Sequence, residues 1–411
     1  MTDTSDASAA PVGEAPAYPM TRRCPYRMPV GYEELRGRGP LQKVTLYDGR
    51  QVWLVAGNEL GRALFPDPRL SSDVLHPGFP FLAPRIAAQT RQRAAPPLVG
   101  VDDPEHARQR RMTIPGFGIR RIAALRPRIE RIANGLVDDM IDRGSPAELL
   151  TQYALPLPSA AICALLGVPF EDHAYFDERS RHVLSSSGEG EAETAYRAFS
   201  EILCYLHELI AKKEKHPGDG LVDELIARQL SEGAVDHQEL AMMCSLLLVS
   251  GHETTANMIA LGVVTLLEHP EQMALLREDA SLLPHAVEEL MRFTSIGDVL
   301  MRVAAEDIEI AGRTIRAGDG VALSTMLMNR DPRAWEDPDS FDIRRAAGRH
   351  VAFGYGIHQC IGQNLARAEM EIAFRTLFRR IPDLRVTRRA DELPLNAPYV
   401  LQGVAELPVA W

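Results

Sequence analysis

The chain lacks the segments that would carry it into or across a membrane. None of its 411 residues falls in an uninterrupted apolar run of about 18 or more, the length that a spanning helix needs. The start, Met1 to Asp6, is polar and leads into Ala and Pro, without the basic and apolar regions of a secretory signal. We therefore expect a cytoplasmic protein with a disordered lead-in over residues 1–20 and one domain over residues 21–411.

Cysteine is sparse, and basic residues are outnumbered by acidic ones. The five cysteines are scattered and odd in number, which is typical of a reducing compartment rather than a disulfide framework. Lys and Arg number 45 against 56 Asp and Glu, giving a net charge of -11. This acidity argues against nucleic acid as the main partner.

Helical patterns dominate the chain, and strand signals are confined to two places. Residues 44–47 and 51–55 flank Asp48-Gly49 and predict a hairpin, and a second pair of short strands fits residues 307–324. No alternation of strands and helices predicts a parallel sheet. Residues 74–104 and 329–350 are predicted to be long loops. The fold class is therefore mainly α with a small β region.

The longest predicted helix begins at Asp236 and ends at His269-Pro270. Asp236 and Glu239 have the spacing of a capping box, in which each side chain bonds the other's backbone N–H. Residues 240–249 are apolar at every position except Ser245, so the helix is expected to be buried on all sides.

The middle of this helix carries the polar run 250–255, Ser-Gly-His-Glu-Thr-Thr. Buried polar groups are costly unless they are bonded or used, and Gly251 lets another group approach the backbone closely. Such residues are a common cause of local helix distortion at functional sites, although a helix crossing with satisfied side chains is an alternative. A zinc protease is excluded because Ala256 stands where a second His is needed.

A second chemical segment is residues 353–362, Phe-Gly-Tyr-Gly-Ile-His-Gln-Cys-Ile-Gly, which precedes a helical pattern over residues 361–379. Cys360 would lie at the N-terminus of that helix, where the dipole favours a thiolate. A dinucleotide loop is excluded because Gln359 replaces the third glycine. A Cys-His pair with His358 and a small buried cysteine remain alternatives.

The spacing Phe-x-x-Gly-x-His-x-Cys-x-Gly resembles the haem-binding loop of the cytochrome P450 family. Further segments resemble that family's motifs in the same order along the chain, and the resemblance extends from about residue 24 to Trp411 in the form typical of bacterial members. These segments are Asp103–His106 followed by Arg110, Gly251–Thr255, Glu289–Arg292, Asn329–Pro332 and Phe341–Arg345.

The resemblance implies a single-domain fold with haem b held between the long helix and the cysteine loop. Cys360 would be the axial ligand of the iron, which thiolate ligation activates for O–O cleavage. Glu253 and Thr254 would deliver protons to bound oxygen. The residues expected around the cofactor are Gly251, Phe353, Gly354 and Gly356, and those expected to pair with its propionates are His106, Arg110, Arg302 and His350. Glu289, Arg292 and Arg345 would form a structural ion cluster.

The implied reaction takes a C–H or C=C bond, O2, two electrons and two protons to an oxidised product and water. No fused reductase is expected, so the electrons should come from an acidic ferredoxin with a ferredoxin reductase. Residues 105–132 carry eight Arg against two Glu and suggest the docking face. We expect a monomer without nucleic-acid or membrane partners.

The substrate is expected to be a bulky, mainly apolar secondary metabolite, such as a polyketide-like or terpenoid molecule with one polar or anionic end. Residues 74–101 match by position the family's loop over the distal pocket, and Arg91 and Arg93 lie in it. The expected pocket residues are Phe79, Phe81, Leu82, Arg85, Val299, Leu300, Tyr399 and Val400.

Three other functions are compatible with parts of this pattern. A peroxygenase would use peroxide without redox partners, and the Glu253-Thr254 pair argues against it. A haem-binding carrier or sensor would have no turnover. A family enzyme could also perform oxidative coupling or desaturation without inserting oxygen, since the same haem machinery serves those reactions.

Overall fold

Helices form most of the protein, as the sequence predicts. The computed structural model describes residues 15–92, 95–184, 191–396 and 401–411. The helices within these ranges are α1 Tyr32–Gly37, α2 Asn58–Leu64, α3 Pro84–Gln92, α4 Glu105–Thr113, α5 Ile119–Arg143, α6 Pro156–Leu166, α7 His173–Leu184, α8 Glu191–Lys215, α9 Leu221–Leu225, α10 His237–Glu268, α11 Pro270–Glu278, α12 Leu283–Thr294, α13 Thr325–Asn329 and α14 Gln363–Arg380. Among them, none combines the length and apolarity needed to cross a membrane.

Short strands form three small sheets beside the helices. The strands are β1 Leu41–Thr45, β2 Gln51–Val55, β3 Leu70–Ser71, β4 Ala147–Glu148, β5 Val299–Ala304, β6 Ile308–Ile310, β7 Arg313–Ile315, β8 Gly320–Ser324, β9 Arg385–Val386 and β10 Pro408–Ala410. The largest sheet has the order β1-β2-β8-β5-β3, and the others are β4-β10-β9 and β6-β7. The small β region is therefore confirmed.

Both predicted strand pairs are confirmed. β1 and β2 are antiparallel, with Val44 opposite Val52. β6 and β7 join through Ala311 and Gly312, whose φ values of 51° and 69° suit a two-residue hairpin turn. β2 and β8 are parallel. The sequence pattern does not predict this pairing, because most of the chain separates the two strands.

The long helix α10 lies at the centre of the largest apolar cluster, in contact with α6, α8 and α14. Its predicted bounds are confirmed, and the Asp236 side chain accepts a hydrogen bond from the Glu239 N–H at 2.7 Å. Among the described residues, the Glu239 carboxylate accepts no hydrogen bond from the Asp236 N–H, because it pairs with Arg108 of α4 instead. The start of α10 is thereby tied to α4.

The predictions for two irregular segments need correction. Residues 15–20 were expected to be disordered, but Tyr18 is buried and its N–H donates to Thr45 O at 2.9 Å, extending the edge of β1. Residues 1–14 lie outside the described part of the chain. The predicted loop over residues 74–104 contains helix α3, which its Pro84 start and its lack of glycine permit.

A buried ion cluster joins α12 to the irregular segment 330–346. The Arg292 guanidinium donates to both Glu289 oxygens, at 2.7 and 2.8 Å, and to the carbonyl of Asn329 at 2.8 Å. Arg345 approaches the same carboxylate at 3.2 Å, whereas Arg344 is exposed. Because breaking such a pair would leave an uncompensated buried charge, these residues fix the segment that leads to the cysteine loop.

Candidate active site

The cysteine loop is closed by its own backbone. The N–H of Cys360 donates to Phe353 O at 2.9 Å, and a single 3₁₀ turn spans Gly356–His358. α14 begins at Gln363, so Cys360 lies just before its first turn, as the sequence predicts. This geometry directs the helix N-terminus at the sulfur.

Opposing influences act on the Cys360 thiol. The side chain is accessible, yet the surrounding protein removes enough water to raise its pKa. The N–H groups of Gly362 and Gln363 and the cations of Arg110 and Arg367 act in the opposite direction. The site therefore supplies hydrogen bonds and positive charge to a sulfur anion, as a metal-binding thiolate requires.

Two glycines of this loop, Gly354 and Gly356, give the backbone its path around the sulfur. The Gly354 N–H donates to Val351 O at 2.9 Å. Gly356 has φ 79°, and a Cβ there would lie 3.1 Å from the backbone of Pro66. These two glycines shape the loop, and the N–H groups that favour the thiolate come from Gly362 and Gln363.

Gly251 was predicted to admit the cofactor, and the structure assigns it a different neighbour. A Cβ at Gly251 would meet Ile162 Cγ1 of α6 at 3.1 Å and Cδ1 at 3.2 Å. The glycine thus permits the close crossing of α6 and α10, which was the alternative interpretation of this segment. The helix is also continuous through residues 250–255 rather than distorted.

Glu253 and Thr254 are half-buried on consecutive positions of α10. The Thr254 hydroxyl donates to Ser250 O at 2.8 Å, one turn earlier. The next residue, Thr255, is buried near Glu369 of α14, whose fully buried carboxyl has its pKa raised by burial. The Glu253-Thr254 segment thus lies on a helix that packs against α14, the helix that follows the cysteine loop.

Buried basic groups gather where α4, β5 and the cysteine loop meet. The rings of His106 and His358 lie 3.9 Å apart, and the His106 Nε2 atom is buried without a hydrogen-bond partner among the described residues. Burial lowers the pKa of Arg302 to about 10, and Arg110 donates to Gln359 O at 2.7 Å. Such a group of donors requires anionic acceptors, and two carboxylates of a bound cofactor would satisfy it.

His358 lies against this basic group as a neutral ring, with its Nε2 3.0 Å from Ser72 Oγ and its Nδ1 3.2 Å from Leu98 O. Burial, followed by the charges of Arg302 and His106, lowers the pKa of His358 to about 4. Its position two residues before the cysteine was considered only as half of a nucleophilic pair. The spacing between His358 and Cys360 indicates this position, because two residues of loop place the imidazole beside α4 rather than beside the sulfur.

His350, predicted to pair with a propionate, has other partners. Its Nε2 lies 3.1 Å from Glu288 Oε2, and its Nδ1 accepts the Ala352 N–H at 3.1 Å. Glu288 also binds the Arg367 guanidinium, which stacks 4.6 Å from the Phe353 ring. His350 therefore supports the loop on the side of Glu288, and we propose His358, which lies beside His106, as a further propionate partner.

Of the residues predicted to line the pocket, those of β5 lie beside the cysteine loop, whereas the aromatic residues before α3 lie in the core beside the sheet. Leu300 Cδ1 lies 3.4 Å from where a Cβ of Gly354 would stand, so β5 borders the cysteine loop, and Val299 and Leu82 are also half-exposed. Phe79 and Phe81 are 8% and 7% exposed and belong to the apolar cluster against which Val299 and Leu82 pack, and their place in the pocket stays a prediction. Tyr399, Val400 and Arg93 lie outside the described residues, as do the side chains of Arg85 and Arg91.

A cysteine loop before α14, the packing of α14 against α10 with its acid–alcohol pair, and a group of buried basic side chains beside the loop define a haem-thiolate oxygenase. The fit to haem rests on the orphaned His106 Nε2 atom, the few acceptors near Arg302 and the N–H groups directed at Cys360. Cys360 would hold the iron, and His106, Arg110, Arg302 and His358 would hold the propionates.

Comparison with known proteins agrees with that class, and the chain belongs to the cytochrome P450 family. The family model for cytochrome P450 matches residues 189–388. Pentalenic acid synthase of Streptomyces avermitilis is 53% identical over 411 residues, and vitamin D3 dihydroxylase of Streptomyces griseolus is 47% identical over 413, each across 100% of both chains. The structure of mycinamicin VIII C21 methyl hydroxylase from Micromonospora griseorubida, bound to mycinamicin VIII, has a TM-score of 0.89 at 41% identity and covers 96% of this chain and all of that one. The protein is a cytochrome P450 monooxygenase with haem as its cofactor.

Replacing Cys360 by Ala is expected to abolish the absorption band that reduced thiolate haem gives with CO and to remove most haem affinity. The physical reason is that this side chain alone lies at the centre of the N–H groups and cations that favour the sulfur anion. Cys204→Ala, which removes an exposed thiol on α8, serves as the control and should keep the band. An unchanged band in Cys360→Ala would contradict the assignment.

Haem retention should distinguish His358 from His350. His358→Gln is expected to lose haem more rapidly to apomyoglobin than the native protein, because it removes an imidazole that lies against His106 within the basic group. His350→Gln should match the native rate, since that ring lies against Glu288 and Ala352 instead. Faster loss from His350→Gln alone would restore the original assignment.

Proposed function

We propose that this cytochrome P450 hydroxylates or epoxidises a bulky, mainly apolar secondary metabolite with electrons from a ferredoxin. The observation that carries the proposal is the half-buried Thr254 hydroxyl on α10, a helix that packs against α14, together with the cysteine loop that precedes α14 and is bordered by Leu300 of β5. Bound haem would supply the activation of O2 and the oxidation of substrate. The chain's own residues would orient the substrate and control protons.

The Thr254 hydroxyl is held one turn back by Ser250 O, so its two lone pairs point away from the helix backbone. In this position Oγ1 can accept a hydrogen bond from a water and hold that water for proton transfer. Glu253 is adjacent and supplies a carboxylate that can exchange protons with solvent. Positioned acid–base groups of this kind contribute roughly 10²-fold to 10⁴-fold in rate.

The proposed substrate class follows from the pocket wall and from the relatives. Val299, Leu300 and Leu82 offer apolar contacts, and apolar linings are usual for pockets that enclose small molecules. The relatives are named for forming pentalenic acid and for hydroxylating vitamin D3 and mycinamicin VIII. Arg85, Arg91 and Arg93 remain candidates for orienting an anionic or polar end. A shift of the haem Soret band on titration with such compounds would identify the substrate.

The proposed electron donor is an acidic ferredoxin, reduced by a ferredoxin reductase. Several of the eight arginines of residues 105–132 are paired within the protein: Arg108 with Glu105 and Glu239, Arg121 with Glu224, and Arg126 with Glu371. Arg111 and Arg120 are exposed instead, beside the exposed apolar residues Ile114 and Ile119. Because Arg110 ties α4 to Gln359, this surface adjoins the cysteine loop and exposed Ile357.

Thr254→Ala is expected to bind haem and to be reduced normally while coupling falls. Product formed per NADPH should drop several-fold and hydrogen peroxide should rise, because protons are misdirected without the hydroxyl. Thr265→Ala is the matched control, since Thr265 on the same helix also donates to the carbonyl one turn back, at 2.7 Å, but is fully buried. Native coupling in Thr254→Ala would show that Thr254 is structural.

Charge reversal at Arg111 is expected to weaken ferredoxin docking. With a plant-type ferredoxin and its reductase as the probe, Arg111→Glu should raise the KM for ferredoxin about tenfold at low salt, with a smaller effect as salt screens the charges. Arg131→Glu, an equally exposed change further along α5, should behave as the native protein. Equal effects of the two substitutions would indicate only a net-charge effect.

A further inference from the structure

The segment before and into α1 holds three buried polar side chains. Tyr18, Arg22 and Tyr32 are all buried, and the rings of Tyr18 and Tyr32 stack with centroids 5.8 Å apart at 17°. The backbone of Tyr18 pairs with Thr45 of β1. We name residues 15–32 the N-terminal strap. Its burial is unexpected for a polar lead-in and requires an interior partner.

That partner is Asp298, in the short turn between α12 and β5. The carboxylate is 7% exposed, and it accepts hydrogen bonds from the Tyr32 hydroxyl at Oδ2 and from Ser324 Oγ at Oδ1, the latter at 2.9 Å. Its backbone carbonyl accepts the Thr325 N–H at 2.7 Å. One residue therefore joins the strap, the turn and the start of α13.

Burying these charged and polar side chains costs desolvation free energy that apolar side chains would not cost. Burial raises the pKa of Asp298, against which the hydrogen bonds of Tyr32 and Ser324 and the charge of Arg22 act. Arg22 directs its hydrogen bonds elsewhere, to Pro25 O and to Thr294 O at the end of α12. Apolar residues of similar volume often stabilise a fold as well as a buried charged group does. Directional hydrogen bonds, in addition, fix one defined geometry.

The geometry that Asp298 defines is that of the pocket wall. Val299 and Leu300 follow it directly, and Leu300 borders Gly354 of the cysteine loop. Gly297 precedes it and has no Cβ of its own, and its carbonyl accepts the Thr325 hydroxyl at 2.5 Å. Asp298 and Thr325 thus anchor the turn from which the wall continues into its ladder with β8.

We infer that Tyr32 and Asp298 are positioning residues that set where Val299 and Leu300 stand in the distal pocket, and so select among ligands by shape. The strap acts from the opposite side of the wall and touches no substrate. This inference rests on the proposed pocket wall and is independent of which substrate the protein oxidises. Loss of the Tyr32 bond should change discrimination between ligands rather than haem binding.

The test compares two azoles that bind haem iron through the same nitrogen but differ in size. Imidazole serves as the small probe and 4-phenylimidazole as the probe that reaches the wall, each titrated by the Soret shift. Tyr32→Phe is expected to change the ratio of the two Kd values by about threefold or more, the scale of one lost hydrogen bond. The reduced CO band should remain that of the native protein.

Tyr153→Phe is the matched control. Tyr153 is also fully buried, and its hydroxyl donates a comparable bond to Ala373 O at 2.9 Å, away from the wall. A similar loss in Tm with an unchanged Kd ratio is expected. Asp298→Asn provides a second variant that keeps the shape and one acceptor oxygen, and its ratio should shift in the same direction by less.

An unchanged ratio in both Tyr32→Phe and Asp298→Asn would overturn the inference. So would equal weakening of both azoles, or an equal shift in Tyr153→Phe, because each would indicate a general structural effect. Failure of the proposed function gives a different result, in which no candidate metabolite is oxidised while the azole ratio still shifts.

Discussion

The buried pair of Glu289 and Arg292 is the interaction on which the site depends. From Arg292 a continuous series of bonds leads to the sulfur. The guanidinium holds Asn329 O, Asn329 Oδ1 accepts the Val351 N–H at 2.8 Å, Val351 O accepts the Gly354 N–H, and Phe353 O accepts the Cys360 N–H. Because a buried charge pair tolerates little displacement, it transmits its position to the loop. The structural role implied for these residues is therefore a role in aiming the cysteine.

Charge at the site is distributed against the trend of the whole molecule. The chain carries a net charge of -11, yet the groups near the cysteine loop are predominantly basic. Glu288 and Asp103 are local acids: Glu288 pairs with Arg367 behind the loop and has its pKa lowered to about 2 despite its burial, and Asp103 lies 3.1 Å from His106 Nδ1. The remaining cations face the region where the cofactor's own carboxylates would provide the compensating charge.

Local sequence rules predicted the elements whose determinants are themselves local. The β1–β2 turn, the Asp236 cap of α10 and the position of Cys360 before α14 depend on neighbouring residues, and all agree with the structure. The errors concern residues whose partners are distant in the chain. His350 and His358 cannot be told apart until Glu288 and His106 are placed, and Tyr18 is unremarkable until Asp298 lies beneath it. Gly251 has the same difficulty, because its neighbour Ile162 lies on another helix.

The contact between Gly251 and Ile162 also gives this protein a way to adjust its pocket from behind. A methyl group at residue 251 would stand about 0.3 Å inside ordinary contact distance with Ile162, and α10 would relieve the crowding by moving away from α6. A shorter side chain at residue 162 would permit the opposite displacement. Such substitutions would change the distance between α10 and the reacting atoms while leaving every residue that faces those atoms unaltered. Substrates of different thickness could then be accommodated during evolution without any change in the chemistry.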